Sequence, residues 1–156
     1  MPEFEGQLRP VGRVALIVSR YNELVTGKLL SGAQACCARA GIAPEQVDVV
    51  WVPGAFELGA ASLAAARSGR YAALVALGAV IRGETPHFDF VAGETTRQLG
   101  QVLLETGVPI GFGLLTTDDL AQATARAGGA AGNKGDEACE AALRAADVIR
   151  QLREAR

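Results

Sequence analysis

The sequence predicts a doubly wound α/β domain: a three-layer αβα sandwich on a four-stranded parallel sheet. Three observations carry this. Strand-like and helix-like segments alternate four times along the chain. The strand-like runs are continuously apolar, the pattern of strands buried on both faces by flanking helices. The 156 residues fit one domain of ordinary size, roughly 100–200 residues.

Each element has a local reason. Val11 to Val18 (VGRVALIV) is a short run of branched residues, a buried strand. Asn22 stands where a residue caps a helix running to about Ala40, with Gly41 as its stop. Val25, Leu29, Ala33, Cys36 and Ala40 recur along it at helical spacing. Val47 to Val52 is the second strand, and Pro53-Gly54 breaks the chain before an alanine-rich helix, Ala55 to Arg67, ended by Gly69. Tyr71 to Leu77 is the third strand. A glycine-containing loop through His87 leads to a helix from about Asp89 to Glu105, with Gly107 beyond its end. Val108 to Leu115 is the fourth strand, and Thr116 or Thr117 caps a short helix that stops near Gly128. GGAAGNKG reads as a loop, and a last helix runs from about Asp136 to Arg153. Residues 1–156 form one domain, with Met1 to Pro10 as an arm too poor in apolar residues to make a core element.

Composition narrows the function. Hydrophobic residues make up 49% and charged residues 21%, enough apolar surface for a core, so disorder as the main state is excluded. The longest near-continuous apolar run, Tyr71 to Ile81, has 11 residues, short of the ~18 that a spanning helix needs. The opening MPEFEGQLRP has no apolar stretch of the secretory kind. The three cysteines, Cys36, Cys37 and Cys139, are odd in number and lack metal-ligand spacing. Neither a disulfide framework nor a zinc cage is expected, and a reducing cytoplasm is. Net charge is -2 and the arginines are scattered, so a nucleic-acid partner is not expected, whereas a small anion on one or two arginines is.

In open α/β sheets, ligands bind beyond the carboxyl ends of the strands. Tyr21 follows the first strand there. It reads either as a platform for a flat ring or as a packing tyrosine. Ala55, Phe56 and Glu57 follow the second. Glu57 suits either the positive end of a helix or a ligand hydroxyl. The loop after the third strand holds Arg82, Glu84, Thr85 and His87, and the last is the single histidine. Histidine is the residue type suited to proton transfer near neutral pH, which makes His87 the candidate for that role. Arg126 ends the short helix, where a cation complements a helix C-terminus or meets an anion. Lys134 sits in AGNKG, but glycine follows it, so this is no nucleotide P-loop. GFG at Gly111 to Gly113 lacks dinucleotide spacing, and no G-x-S-x-G elbow occurs.

Taken in order, SRYNE, VPGAFEL, GAVIRGETPHFDFV, GFGLLTTDDLAQATARAG and AGNKGDEA resemble the lumazine synthase family. The resemblance runs from about Val11 to Leu152. It implies a flavodoxin-like fold and the penultimate reaction of riboflavin biosynthesis. There, 5-amino-6-(ribitylamino)uracil condenses with 3,4-dihydroxy-2-butanone 4-phosphate to give 6,7-dimethyl-8-ribityllumazine, phosphate and water. An imine forms, phosphate is eliminated, the enol tautomerises and the ribitylamino nitrogen closes the ring. The resemblance implies no flavin, nicotinamide or metal.

It also implies roles by position. Tyr21 stacks on the pyrimidine; Ala55, Phe56 and Glu57 hold the pyrimidine and ribityl hydroxyls; the backbone of Ala79, Val80 and Ile81 reads the ring edge. Glu84 and Thr85 form the phosphate turn, and His87 transfers protons. Phe112 and Arg126 come from a neighbouring subunit, with Arg126 on the phosphate. Lys134 and Glu137 lie near the same site, Glu137 placed to orient His87. The implied assembly is a homopentamer, and the short AGNKG link resembles members that build a hollow icosahedral shell. Phe4 and Leu8 of the arm are expected to pair along a neighbour's sheet edge. Three positions depart from the family pattern. Tyr21 replaces Phe or Trp, Gly59 stands where Pro commonly follows Phe-Glu-Leu and loosens that helix start, and Glu84 occupies an often small position.

Three rival readings stand beside it. One is a non-catalytic flavin- or phosphometabolite-binding module of flavodoxin-like architecture. A second is an amine-catalysed aldolase-type enzyme, for which Lys28 and Lys134 are the only lysines. A third is a purely structural shell protein, which would not need His87 or Arg126.

Overall fold

The computed structural model describes residues 1–155. Four strands, β1 (Val14–Ser19), β2 (Val47–Val52), β3 (Ala73–Ile81) and β4 (Ile110–Thr117), form one parallel sheet in the order β2-β1-β3-β4. The register is continuous: Val14 faces Val47 on one side and Ala73 on the other, and Leu74 faces Ile110. The helices are α1 (Glu23–Arg39), α2 (Leu58–Arg67), α3 (His87–Thr106), α4 (Leu120–Arg126) and α5 (Lys134–Glu154).

The central strands β1 and β3 bury side chains on both faces, so two cores form. Leu16, Val18, Val75 and Leu77 point into one, against Leu29 and Cys36 of α1 and Cys139 and Leu143 of α5; Ala123 of α4 joins them. Ile17, Leu74 and Ala76 point into the other, against Leu58 of α2 and Phe88 and Leu99 of α3. Each fully buried aliphatic side chain contributes roughly 1.5–3 kcal/mol by leaving water. The predicted α/β sandwich is therefore the observed one. Gly41 and Gly107, with φ of 82° and 71°, end α1 and α3 in the left-handed region, as their predicted stop roles require.

Several boundaries move. β2 is an edge strand whose Val49 and Trp51 are over one third exposed, so it is not buried on both faces like β1 and β3. β3 starts at Ala73 and runs on to Ile81, beyond the expected end at Leu77, and β4 runs from Ile110 to Thr117. Residues Ala55–Glu57 are a 3-10 turn ahead of α2. His87 opens α3 and does not lie in a loop. The cap of α4 is Asp119, which accepts from the Gln122 N–H, while the Thr117 hydroxyl donates to the Asp119 carbonyl. The expected loop is a small antiparallel hairpin, β5 (Ala127–Gly129) and β6 (Gly132–Asn133). Asn133 then caps α5 by accepting from the N–H groups of Gly135 and Asp136, so Lys134 begins that helix.

The N-terminal arm lies along its own α5. The Gln7 N–H donates to Asp147, Arg144 donates to the Gly6 carbonyl, and Gln151 donates to the Glu5 carbonyl. Leu8 packs on this chain's own core. That side chain is therefore not free to serve a neighbour's sheet, whereas Phe4 is exposed.

Candidate active site

Strand pairing continues past the ends of β1 and β2: Arg20 N–H donates to the Val52 carbonyl and Tyr21 N–H to the Pro53 carbonyl. This fixes where the chain leaves the sheet. Asn22 then turns it with φ 64°, the single non-glycine residue at positive φ among the described residues. Its side chain makes no cap bond to α1. Instead Nδ2 donates to the Ala79 carbonyl at 3.1 Å, tying the start of α1 to β3. Tyr21 is left 74% exposed, a phenol ring presented to solvent.

Beside it, the 3-10 turn is held at both ends. Glu57 Oε1 accepts from the Gly54 N–H at 2.9 Å, and the Ala55 carbonyl accepts from the buried Thr95 hydroxyl of α3. Phe56 projects outward from this turn. Between the turn and α3 lies an open cleft of about 710 Å³. Tyr21, Phe56, His87, Phe90 and Glu94 line it, with the backbone of Gly54 and Ala55. The cleft sits at the carboxyl ends of the parallel strands, where the helix-start dipoles and free N–H groups of such sheets converge. A second cavity, about 420 Å³ and bounded by Tyr71, Pro109, Arg150 and Arg153, lies at the opposite end of the sheet.

The structure brings Tyr21, Ala55, Phe56 and His87 to one cleft. Glu57 adjoins it but spends one carboxylate oxygen on Gly54. Ala79, Val80 and Ile81 end β3 in register with Leu115, Thr116 and Thr117 of β4, and the Ala79 carbonyl is already engaged by Asn22. Glu84 and Thr85 form an exposed turn, with the Thr85 hydroxyl accepting from the His87 N–H at 3.4 Å. Arg82 stacks on Phe88 at 4.4 Å and pairs with Asp118.

Four candidates stand apart from the cleft within one chain. Phe112 is on the outer strand β4, half-exposed. Arg126 donates to the Gln122 carbonyl of its own helix. Arg126, Lys134 and Glu137 belong to α4 and α5, on the sheet face opposite α3 and His87. Glu137 therefore does not orient His87 of the same chain.

Residues 12–150 match the family model of 6,7-dimethyl-8-ribityllumazine synthase. The chain belongs to that family. The 6,7-dimethyl-8-ribityllumazine synthase of Nitratidesulfovibrio vulgaris (strain DSM 19637 / Miyazaki F) is 50% identical over 149 residues, 95% of this chain and 96% of the relative. That of Chlorobium chlorochromatii (strain CaD3) is 48% identical over 151 residues, 96% of this chain and 97% of the relative. Membership in the lumazine synthase family makes the chain a transferase of riboflavin biosynthesis.

The three departures from the lumazine synthase pattern have structural settings. The exposed Tyr21 leaves its hydroxyl to water. Gly59 is filled from outside: an added Cβ would meet Gln98 of α3, so the helix start is packed and not slack. Glu84 is exposed. Phe90, Val91 and Glu94 also line the cleft, although they follow no strand end in the sequence. With His87 they follow the i, i+3, i+4, i+7 spacing of one helix face. That stripe is visible only once α3 is started at His87.

Proposed function

We propose that this chain condenses 5-amino-6-(ribitylamino)uracil with 3,4-dihydroxy-2-butanone 4-phosphate, and that adjacent subunits of a homopentamer share each active site. The observation that carries the reading is the cleft itself. Tyr21, Phe56 and His87 meet at the carboxyl ends of a parallel sheet in a chain of the lumazine synthase family.

In this reading the Tyr21 ring stacks on the pyrimidine. Backbone groups of Ala79 to Ile81 read its edge. The N–H groups of the Ala55 to Glu57 turn and the outer oxygen of Glu57 take ring and hydroxyl partners. The turn at Glu84 and Thr85 receives the phosphate, with the Glu84 carboxylate facing water. The attacking amine belongs to the substrate, so the protein's main contribution is to hold both molecules in attacking geometry. His87 moves protons during imine formation, elimination and ring closure. Arg126 of a neighbour binds the phosphate through paired charge-assisted hydrogen bonds, and Phe112 and Lys134 of that neighbour close the pocket. Glu137 reaches His87 only from that neighbour.

Two features support a shared site. Phe112 stands outward on the β4 edge of the sheet, and among the described residues no lysine or arginine lines the cleft to meet a phosphate. The β2 edge exposes Val49 and Trp51, a surface for a neighbour's Phe4. The short link through Asn133 favours assembly of the pentamers into a closed icosahedral shell, and the buried free thiols suit a reducing cytoplasm.

Mixed rings test the shared site. An inactive Arg126 variant and an inactive Glu57 variant, dissociated together and reassembled, are expected to regain part of the activity. An active monomer in the analytical ultracentrifuge contradicts this assembly.

A further inference from the structure

We propose that Glu94 is a specificity-determining residue that receives the polyol chain of the pyrimidine substrate and turns the phosphorylated substrate away from its end of the cleft. This rests on the reaction proposed above.

The carboxylate lines the cleft with Tyr21, Phe56 and His87, one turn beyond Phe90 on the same helix face. Among the described residues it is the acid that lines the cleft; Glu57 adjoins it, with one carboxylate oxygen held by the Gly54 N–H. Its position is fixed by three hydrogen bonds. Arg97 donates to Oε1 at 2.6 Å and to Oε2 at 2.9 Å, and Gln98 donates to Oε1 at 3.1 Å. An ionised carboxylate has about four acceptor sites, so one on Oε2 remains for a ligand. These donors, Arg97 first, hold the Glu94 pKa down at about 2. The group is thus an anion throughout the neutral range and only accepts hydrogen bonds.

That chemistry selects its ligand. Of the two substrates, one carries a row of hydroxyl donors and the other a dianionic phosphate. A fixed carboxylate accepts from the first and repels the second. The apolar wall of Phe56, Phe90 and Val91 between Glu94 and the strand ends suits the stacked ring. The ring therefore enters with its polyol toward Glu94 and its reacting amine toward His87.

The positioning of Glu94 depends on the residue at 59. Gln98 lies over Gly59, in the space that a Cβ there would occupy. A larger residue at 59 displaces Gln98 and removes one of the three supports of Glu94. Gln98 and Gly59 are positioning residues acting through that carboxylate.

Calorimetric titration tests this, with two probes on the intact assembly: 5-amino-6-(ribitylamino)uracil, and the same pyrimidine carrying an unsubstituted pentylamino chain. The expected result for Glu94→Gln is a loss of about tenfold or more in affinity for the ribityl compound, the scale of a charge-assisted hydrogen bond. Affinity for the pentyl compound changes little, and Gln98→Ala shifts the same ratio in the same direction by less. Equal weakening of both probes, or an unchanged ratio, overturns the proposal. Should Glu94→Gln fail to fold, the ratio in Gln98→Ala decides. Lumazine formation by the unaltered protein is scored separately, so a failure of the reaction is distinct from a failure of the Glu94 assignment.

Discussion

The side-chain amide of Asn22 donates to the carbonyl oxygen of Ala79 at 3.1 Å, across 57 residues of sequence. One bond joins the turn that carries Tyr21 to the strand end expected to read the substrate ring. Asn22 holds this position at φ 64°, where a side chain with a Cβ is strained by roughly 1–2 kcal/mol. Asn22→Gly removes the bond and keeps the turn, whereas Asn22→Ala removes the bond and keeps the strain. The alanine variant is expected to be about 1 kcal/mol less stable than the glycine variant. Urea unfolding of both checks this, and both are expected to bind the pyrimidine substrate more weakly.

The arm responds to acid through Asp147. This carboxylate is 1% exposed and accepts from the Gln7 N–H, Arg150 and Gln151, which lower its pKa to about 2. The unfolded value is about 3.9. A depressed carboxylate pKa stabilises the fold above the unfolded value, and that contribution is lost as pH falls from about 4 toward 2. Hydrogen exchange at the Gln7 amide is expected to accelerate in that window beyond the intrinsic pH trend. Asp147→Asn is expected to abolish that acceleration.

The thiols report on unfolding. Cys36, Cys37 and Cys139 are buried between α1 and α5, with Cys37 Sγ and Cys139 Sγ 3.6 Å apart. Hydrogen bonding with the Cys36 and Cys37 thiols, and then burial, push the Cys139 pKa up, away from the reactive thiolate. A charged thiol reagent is expected to modify all three only at the rate of global unfolding. Fast labelling in native buffer contradicts the packing of this interface.

His87→Ala is expected to slow turnover by about 100-fold or less, the low end for general acid–base help. The substrate supplies the nucleophile and the cleft supplies orientation. Steady-state kinetics with both substrates saturating checks this. Complete loss of turnover with intact binding gives His87 a larger role.

Arg126→Lys is expected to raise KM for the phosphorylated ketone while sparing pyrimidine affinity, because an ammonium does not reproduce the paired bonds of a guanidinium. Equal weakening for both substrates makes Arg126 structural.

How far the sequence reached depends on which signals are local. The strands β1 and β2 were legible because their branched runs are bounded by turn residues. β3 was cut short at Leu77 because Gly78 reads as a break. In the fold, that glycine lies mid-strand, where a Cβ would crowd Leu58, Leu114 and Ser19. Pro86 and His87 carry no cap signal, so the sequence places the start of α3 near Asp89, and the face running from His87 to Glu94 shows only in the fold. Asn22 was correctly placed ahead of α1, but its tie to Ala79 is a tertiary contact that no local pattern encodes. Tyr21, Phe56 and His87 meet in one cleft because a parallel sheet gathers its strand ends. The expected placement of Glu137 near His87 fails within one chain because α5 packs on the other face of the sheet.

The most direct measurement of the central claim mixes the purified protein with 5-amino-6-(ribitylamino)uracil and 3,4-dihydroxy-2-butanone 4-phosphate and follows product fluorescence alongside released phosphate. The expected result is lumazine and phosphate in equal amounts, formed faster than in buffer, and slowed by Glu94→Gln, His87→Ala and Arg126→Lys. Product formation at the buffer rate, with both substrates bound, contradicts the account.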